Sequence, residues 1–216
     1  MGNNLRVALL LVGVPNAFVT AARAQTAADS GQFIIRHAND TVATEHFSRT
    51  PVHLAGTLAL HNSSHNSQDY SAVIAPDATL PLIEVTVREG TKSGEEKPRI
   101  IQRARVIFKD DSVAVDEVGR AGLVTRVFGT ERGAVPYLNL SFALLEQATR
   151  LAAQGRTNIA FFNLGGGQTR SAKLSRLGTD SLRLAIGEVE FHLRVDRDGR
   201  VLGARIPAQN VLVERR

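Results

Sequence analysis

Cysteine and tryptophan are absent from this 216-residue chain, methionine occurs once and tyrosine twice. Without a thiol there is neither a disulfide nor a thiolate metal site, so a folded state must rest on its core. Clustered charge is missing as well. The chain carries 26 Lys and Arg against 21 Asp and Glu, for a net charge of +5, and the two signs are interspersed. A nucleic-acid binder normally shows a basic stripe interleaved with stacking aromatics, and neither is present. The one swing from acidic to basic, REGTKSGEEKPR (88–99), reads as a solvated loop.

Long apolar runs are missing after residue 22. Before it, Arg6 supplies a positive start, Val7 to Ala22 carries no charge, and Ala22-Arg23-Ala24 has the small-x-small form of a cleavage site. That order predicts a signal peptide over 1–24. The uncharged stretch is 16 residues and contains Pro15 and Asn16, whereas a membrane span needs roughly 20 apolar residues. The expected mature chain, 25–216, is a single β-rich domain with no linker or repeat. It keeps 24 basic and 21 acidic residues. Export without disulfides suits a periplasm or a bacterial outer surface, so the expected location is periplasmic or secreted, with no integral membrane segment after cleavage.

What the sequence does have is period two. VHLAGTLAL (52–60), IEVTVRE (83–89) and EVEFHLRVD (188–196) alternate apolar and polar residues. Such alternation marks antiparallel strands with one buried face. In the last of these, Val189, Phe191, Leu193 and Val195 should face the core, and Glu188, Glu190, His192 and Arg194 should face water. Weaker versions occur at 33–37, 41–47, 70–75, 103–108, 112–118, 123–128, 158–164, 170–175, 181–186, 200–206 and 210–214. Asn, Asp and Gly clusters between them provide hairpin turns. One segment departs from this. NLSFALLEQATRLAAQG (139–155) has Leu140, Leu144, Ala148 and Leu151 at helical spacing, with Asn139 or Ser141 as N-cap and Gly155 past the end. The expected fold is mainly β: a curved antiparallel sheet or half-barrel of about ten strands, with one covering helix over about 139–154.

Several local patterns invite a chemical reading. HNSSHNSQD (61–69) pairs two histidines four apart, but it joins two strands and lacks the helical context in which such a pair shares a metal. It reads as a hairpin loop, and no metal or cofactor site is expected. No G-x-S-x-G elbow is present for a hydrolase. LGGGQTR (164–170) lacks the lysine of a phosphate loop, and DRDGR (196–200) lacks the ligands of a calcium loop. Glu188 and Glu190 share a face with His192 and Arg194, as a solvated face would. No catalytic residue is assigned. Phe142, Phe161 and Phe162 cluster around the helix and the next strand. Adjacent Phe161 and Phe162 must point to opposite sides of a sheet, and the helix is expected to cover both apolar surfaces. These three are the candidate ligand-binding residues.

The order strands, YLNLSFALLEQATRLAAQG, then strands ending in RVDRDGRVLGARIPAQNVLVER resembles a family of exported bacterial proteins related in architecture to the lipoprotein-carrier half-barrels. The likeness covers about 135–216. It implies a sheet wrapped around a helix and an acyl-chain site in the concavity. The expectation is an exported, non-enzymatic binding protein of the periplasm or envelope, taking a lipophilic small molecule or an envelope protein as partner. The alternatives are a secreted esterase-like hydrolase using histidine, or an accessory domain docking on another secreted protein.

Overall fold

The computed structural model describes residues 28–61, 65–90, 98–119 and 121–216. The expected signal segment lies outside the described residues. The chain first runs through β1 (Asp29–His37), β2 (Asp40–Arg49), β3 (His53–Leu60) and β4 (Ser67–Val73). It continues through β5 (Leu82–Glu89), β6 (Arg99–Phe108), β7 (Ser112–Gly119) and β8 (Gly122–Gly129). The short β9 (Val135–Tyr137) and the helix α1 (Phe142–Ala153) follow. Then come β10 (Asn158–Asn163), β11 (Thr169–Arg176), β12 (Ser181–Ile186), β13 (Val189–Val195), β14 (Val201–Ile206) and β15 (Val211–Arg215). All fifteen strands form one sheet in the order β8-β7-β6-β5-β4-β3-β2-β1-β15-β14-β13-β12-β11-β10-β9.

Every pairing is antiparallel except β9 with β10, which α1 connects as a crossover. The sheet therefore has two arms. One meanders outward from β1 to β8, the other returns from β9 to β15, and β1 pairs with β15 where they meet.

The topology forces curvature. Fifteen strands at about 4.8 Å spacing would span roughly 65–70 Å if flat. The link from β8 at one edge to β9 at the other is residues 130–134, and five residues reach at most about 20 Å. The sheet must roll until its edges approach. Edge strand β8 meets the other arm close to that arm's edge, at the β10–β11 turn: Thr169 Oγ1 donates to Gly129 O at 3.2 Å, and Phe128 lies against Gly167, where a Cβ would sit 2.5 Å from its ring. Strand β8 packs on β10 and the β10–β11 turn instead of pairing with β9, so the sheet stays open.

The rolled sheet buries one continuous face. Phe33 and Ile35 of β1, Leu54 and Leu58 of β3, Ile83 of β5, Leu184 of β12 and Val213 of β15 all belong to it. Strand β13 follows the expected alternation, with Phe191, Leu193 and Val195 buried, His192 and Arg194 exposed, and Val189 and Glu190 half-buried. Helix α1 lies inside the roll, so nine of its twelve residues are buried, including Glu146, Gln147 and Thr149. Ser141 is its N-cap, accepting from Leu144 N at 3.3 Å, and Gly155 follows its end at φ +93°. The DRDGR turn docks on its back: Thr149 Oγ1 donates to Gly199 O at 2.5 Å. A methyl group on Gly199 would meet Thr149 O at 2.4 Å, which leaves only glycine at that contact.

Fourteen of the fifteen strands coincide with alternating segments of the sequence. Strand β9 does not, because three residues containing Pro136 show no period. None of the helices among the described residues is long and apolar enough to cross a membrane.

Candidate ligand-binding site

Residues 158–163 place Phe161 and Phe162 on opposite faces of β10, and both are buried. The expectation that α1 covers both is overturned. Phe162 points to the side covered by the other arm, 5.7 Å from the rings of Phe108 on β6 and Phe128 on β8. The rolling of the sheet buries β10 between the inner faces of its own two arms. Phe161 faces the interior on the other side, edge-on to Tyr137 at 6.1 Å.

That interior side is hollow. A cleft of about 500 Å³ opens there, with Tyr137, Phe161 and Phe191 as its aromatic floor and Ile186 and Val189 as its aliphatic wall. Asn163, Gln168, Arg170 and Glu188 form the polar rim. Tyr137, Val189 and Phe191 also line a narrower recess of about 50 Å³, which continues to Phe142, Leu145 and the start of α1. Phe161 thus lines the cleft, Phe142 lines the neighbouring recess that shares Tyr137, Val189 and Phe191 with it, and Phe162 lines neither. Burial pushes the Tyr137 hydroxyl above its usual range, so it stays neutral, 3.4 Å from Asn139 Oδ1. Leu140 adopts φ +65° beside the recess, the left-handed region that side chains rarely occupy.

The most polar interior lies along α1, where the sequence placed no candidate residue but Phe142. Glu45, fully buried on β2, accepts from Tyr70 Oη (2.7 Å), Ser141 Oγ (2.5 Å), Phe142 N (2.8 Å) and Ala143 N (3.0 Å). It caps the helix from another strand, satisfying amides the helix cannot pair itself. Burial raises its carboxyl above 4.5, opposed by those four donors, and burial beside Glu45 pushes the Tyr70 hydroxyl well up.

One turn along the helix, Glu146 accepts from Arg150 Nε (2.7 Å), Arg215 Nη1 (3.0 Å) and Val201 N (2.9 Å). Asp29 accepts from Arg150 (3.0 Å), Arg215 (2.6 Å) and Arg200. Arg49 donates to Gln147 Oε1 at 2.7 Å and lies 3.7 Å from Glu146. Burial lowers its guanidinium to about 10, with Glu146 as the chief opposing influence. Arg215 also stacks over Phe47, 4.9 Å from the ring centre.

This cluster joins both ends of the described chain to the helix. Its acids are saturated by arginines, which makes it a clasp. The signal was present: Asp29, Glu45, Arg49 and Arg215 each occupy an apolar-face position of their strand, in phase with Phe33, Phe47 and Val213.

The histidines are dispersed. His53 Nε2 lies 2.9 Å from Ser71 Oγ, His46 contacts Gln32, His61 contacts Thr44, and His192 bonds Glu190 at 2.6 Å. The His53–Ser71 pair sits on the outer face of β3 and β4, where backbone amides are committed to the sheet ladder and offer no oxyanion hole. Among the described residues, no group of three His, Asp or Glu side chains is placed to hold a metal ion. Residues 61–66 join β3 to β4 as a hairpin, of which 62–64 lie outside the described residues.

Comparison with family models, curated proteins and solved structures finds no match. The functional reading therefore rests on the geometry of the chain itself. Another depression, about 650 Å³ on the outer face of β12–β15, is charged and open, with Arg194, Arg205 and Glu214 along it. The hollow at Phe161 combines an apolar floor with convergent polar groups, the usual composition of a small-molecule site.

Proposed function

We propose that this chain is an exported, non-enzymatic binding protein of the periplasm or cell envelope, holding a small lipophilic ligand in the hollow between β10, β13 and the start of α1. The observation that carries this reading is the aromatic floor of Tyr137, Phe161 and Phe191 under a polar rim. About 500 Å³ lies within the roughly 300–1,000 Å³ range of ligand pockets. An apolar body would rest on the three rings, and a polar or anionic head would meet Arg170, Asn163 and Gln168. The half-barrel resemblance noted in the sequence supports the same class of ligand. Transport to the envelope rests on the reading of residues 1–24.

The test is occupancy. The mature chain is purified, and extracted lipids are identified by mass spectrometry. It is then titrated with fatty acids and lysophospholipids, with melting temperature as the readout. Val189→Trp, which places an indole in the half-buried wall of the hollow, should abolish the ligand-induced shift while leaving the unliganded fold intact. A wild-type protein free of lipid, with no shift across the panel, overturns the proposal. So does a Val189→Trp variant that binds as well as wild type.

A further inference from the structure

Among the described residues, a fifteen-stranded sheet in linear order leaves two edges, β8 and β9, and the two differ in kind. Strand β9 has three residues, Pro136 has no N–H to offer, and Val135 and Pro136 are buried. That is a guarded edge. Strand β8, GLVTRVFG, has eight residues with neither proline nor lysine. Its single charge, Arg126, is engaged by Glu117 at 3.4 Å. Leu123 and Val127 are 66% and 69% exposed, and Val118 beside them on β7 is 48% exposed. Methyl groups added at Gly119, Gly122 or Gly129 would enter open space. Sheet proteins normally blunt such a strand with charge, proline or a cover, because it is a template for another strand.

The ladder shows which groups are free. Thr130 N donates to Asp111 O at 2.9 Å, in register with the Gly129–Ser112 pairing of β8 and β7. In an antiparallel ladder, residues alternate between facing the partner strand and facing away. The even-numbered residues of β8 therefore bond to β7, and Leu123, Thr125 and Val127 turn their N–H and C=O groups outward.

We propose that this edge docks on a second copy of the chain, β8 against β8, merging two sheets about a twofold axis through Thr125. The strand is self-complementary in that register. Thr125 meets Thr125 of the second copy, Leu123 meets its Val127, and Val124 meets its Arg126. On the outer face, Val118 and Leu123 of one copy run on into Val127 and Ala114 of the other, and the symmetric row repeats this. The neighbouring registers are worse. A shift one way sets Arg126 against Arg126, and like charges directly opposite are destabilising. A shift the other way leaves Val127 and Phe128 without strand partners. The paired edge is small, so it belongs to the weak, concentration-dependent class of interfaces.

Sedimentation equilibrium from low micromolar to near-millimolar concentration should show wild type passing from monomer to dimer. Leu123→Lys/Val127→Lys changes two exposed side chains, so it should keep the wild-type melting curve and stay monomeric throughout. Because the chain has no cysteine, Thr125→Cys supplies a unique crosslinking position. A short bismaleimide should couple it into dimers at least about tenfold faster than Thr57→Cys, an exposed position in the middle of the sheet. Three results each overturn the proposal: wild type monomeric at every concentration, the double lysine variant associating as wild type does, or both cysteine variants crosslinking equally.

Discussion

Phe191 and His192 are adjacent on β13, and the pleat sends them to opposite sides. Phe191 is 3% exposed, lies opposite Leu184 on β12 and forms part of the floor of the hollow, whereas His192 is solvent-facing and bonded to Glu190. Truncating a buried aromatic removes its transfer energy and leaves a cavity. Phe191→Ala should cost about 3–5 kcal/mol, and His192→Ala should stay within about 0.5 kcal/mol. Urea melts of the two variants check this, and comparable losses would mean that His192 is partnered in the core. Period two makes this pair legible in the sequence, because a one-residue slip would bury Glu190, His192 and Arg194 together. The same logic did not reach Glu45. It also lies in phase with the apolar residues Ala43 and Phe47, but its partners are distant in sequence: Ser141 and the amides of Phe142 and Ala143. Alternation says which way a side chain points, and it cannot say what waits there.

At the level of the element, α1 was legible as a helix from its spacing, its serine cap and its trailing glycine. Its burial was not. A sequence with Glu146, Gln147, Thr149 and Arg150 along one side reads as having a wet face, and the structure sets Arg49 of β2 and Arg215 of β15 against that face. The helix start depends likewise on a foreign carboxylate. Glu45→Gln would replace an acceptor of four hydrogen bonds by an amide whose NH₂ faces donors, at a cost of about 1–3 kcal/mol. Its pH dependence has a definite sign. A carboxyl raised on folding binds its proton more tightly in the native state. Its contribution to stability is therefore complete below 4.5, the unfolded value, and declines as pH rises from there through the raised native value. The stability gap between wild type and Glu45→Gln should widen on acidification towards 4.5 and level off below it. Denaturant titrations across that range measure the gap, and one that narrows on acidification would show that the four donors outweigh burial.

For the whole molecule, the decisive contact is between the two strands furthest apart in sequence. Strand β15 pairs with β1 on one side and β14 on the other, so among the described residues its ladders are the backbone connection between the eight strands β1–β8 and the six strands β9–β14. Near the link 130–134 the arms meet through packing and side-chain hydrogen bonds from Thr169 and Ser171, without a backbone ladder. Nothing in the local pattern of VLVER announces this role, because a strand's partners are set by the topology of the entire chain. The role makes the C-terminus a keystone. Ending the chain at Asn210 would remove the β1 and β14 ladders to β15 and expose the faces that Val211 and Val213 cover. It would also take Arg215 from between Asp29 and Glu146, leaving a buried acid short of its cation. Breaking a buried ion pair by removing one partner costs about 3–5 kcal/mol, a large part of a typical 5–15 kcal/mol stability before the lost strand is counted. Amide hydrogen exchange should therefore show protection lost in both arms at once, in β3–β5 as well as β11–β13. If the truncated chain keeps native protection in β3–β5 while β11–β13 exchanges freely, the arms fold as separate units and the rolled sheet is not a single cooperative body.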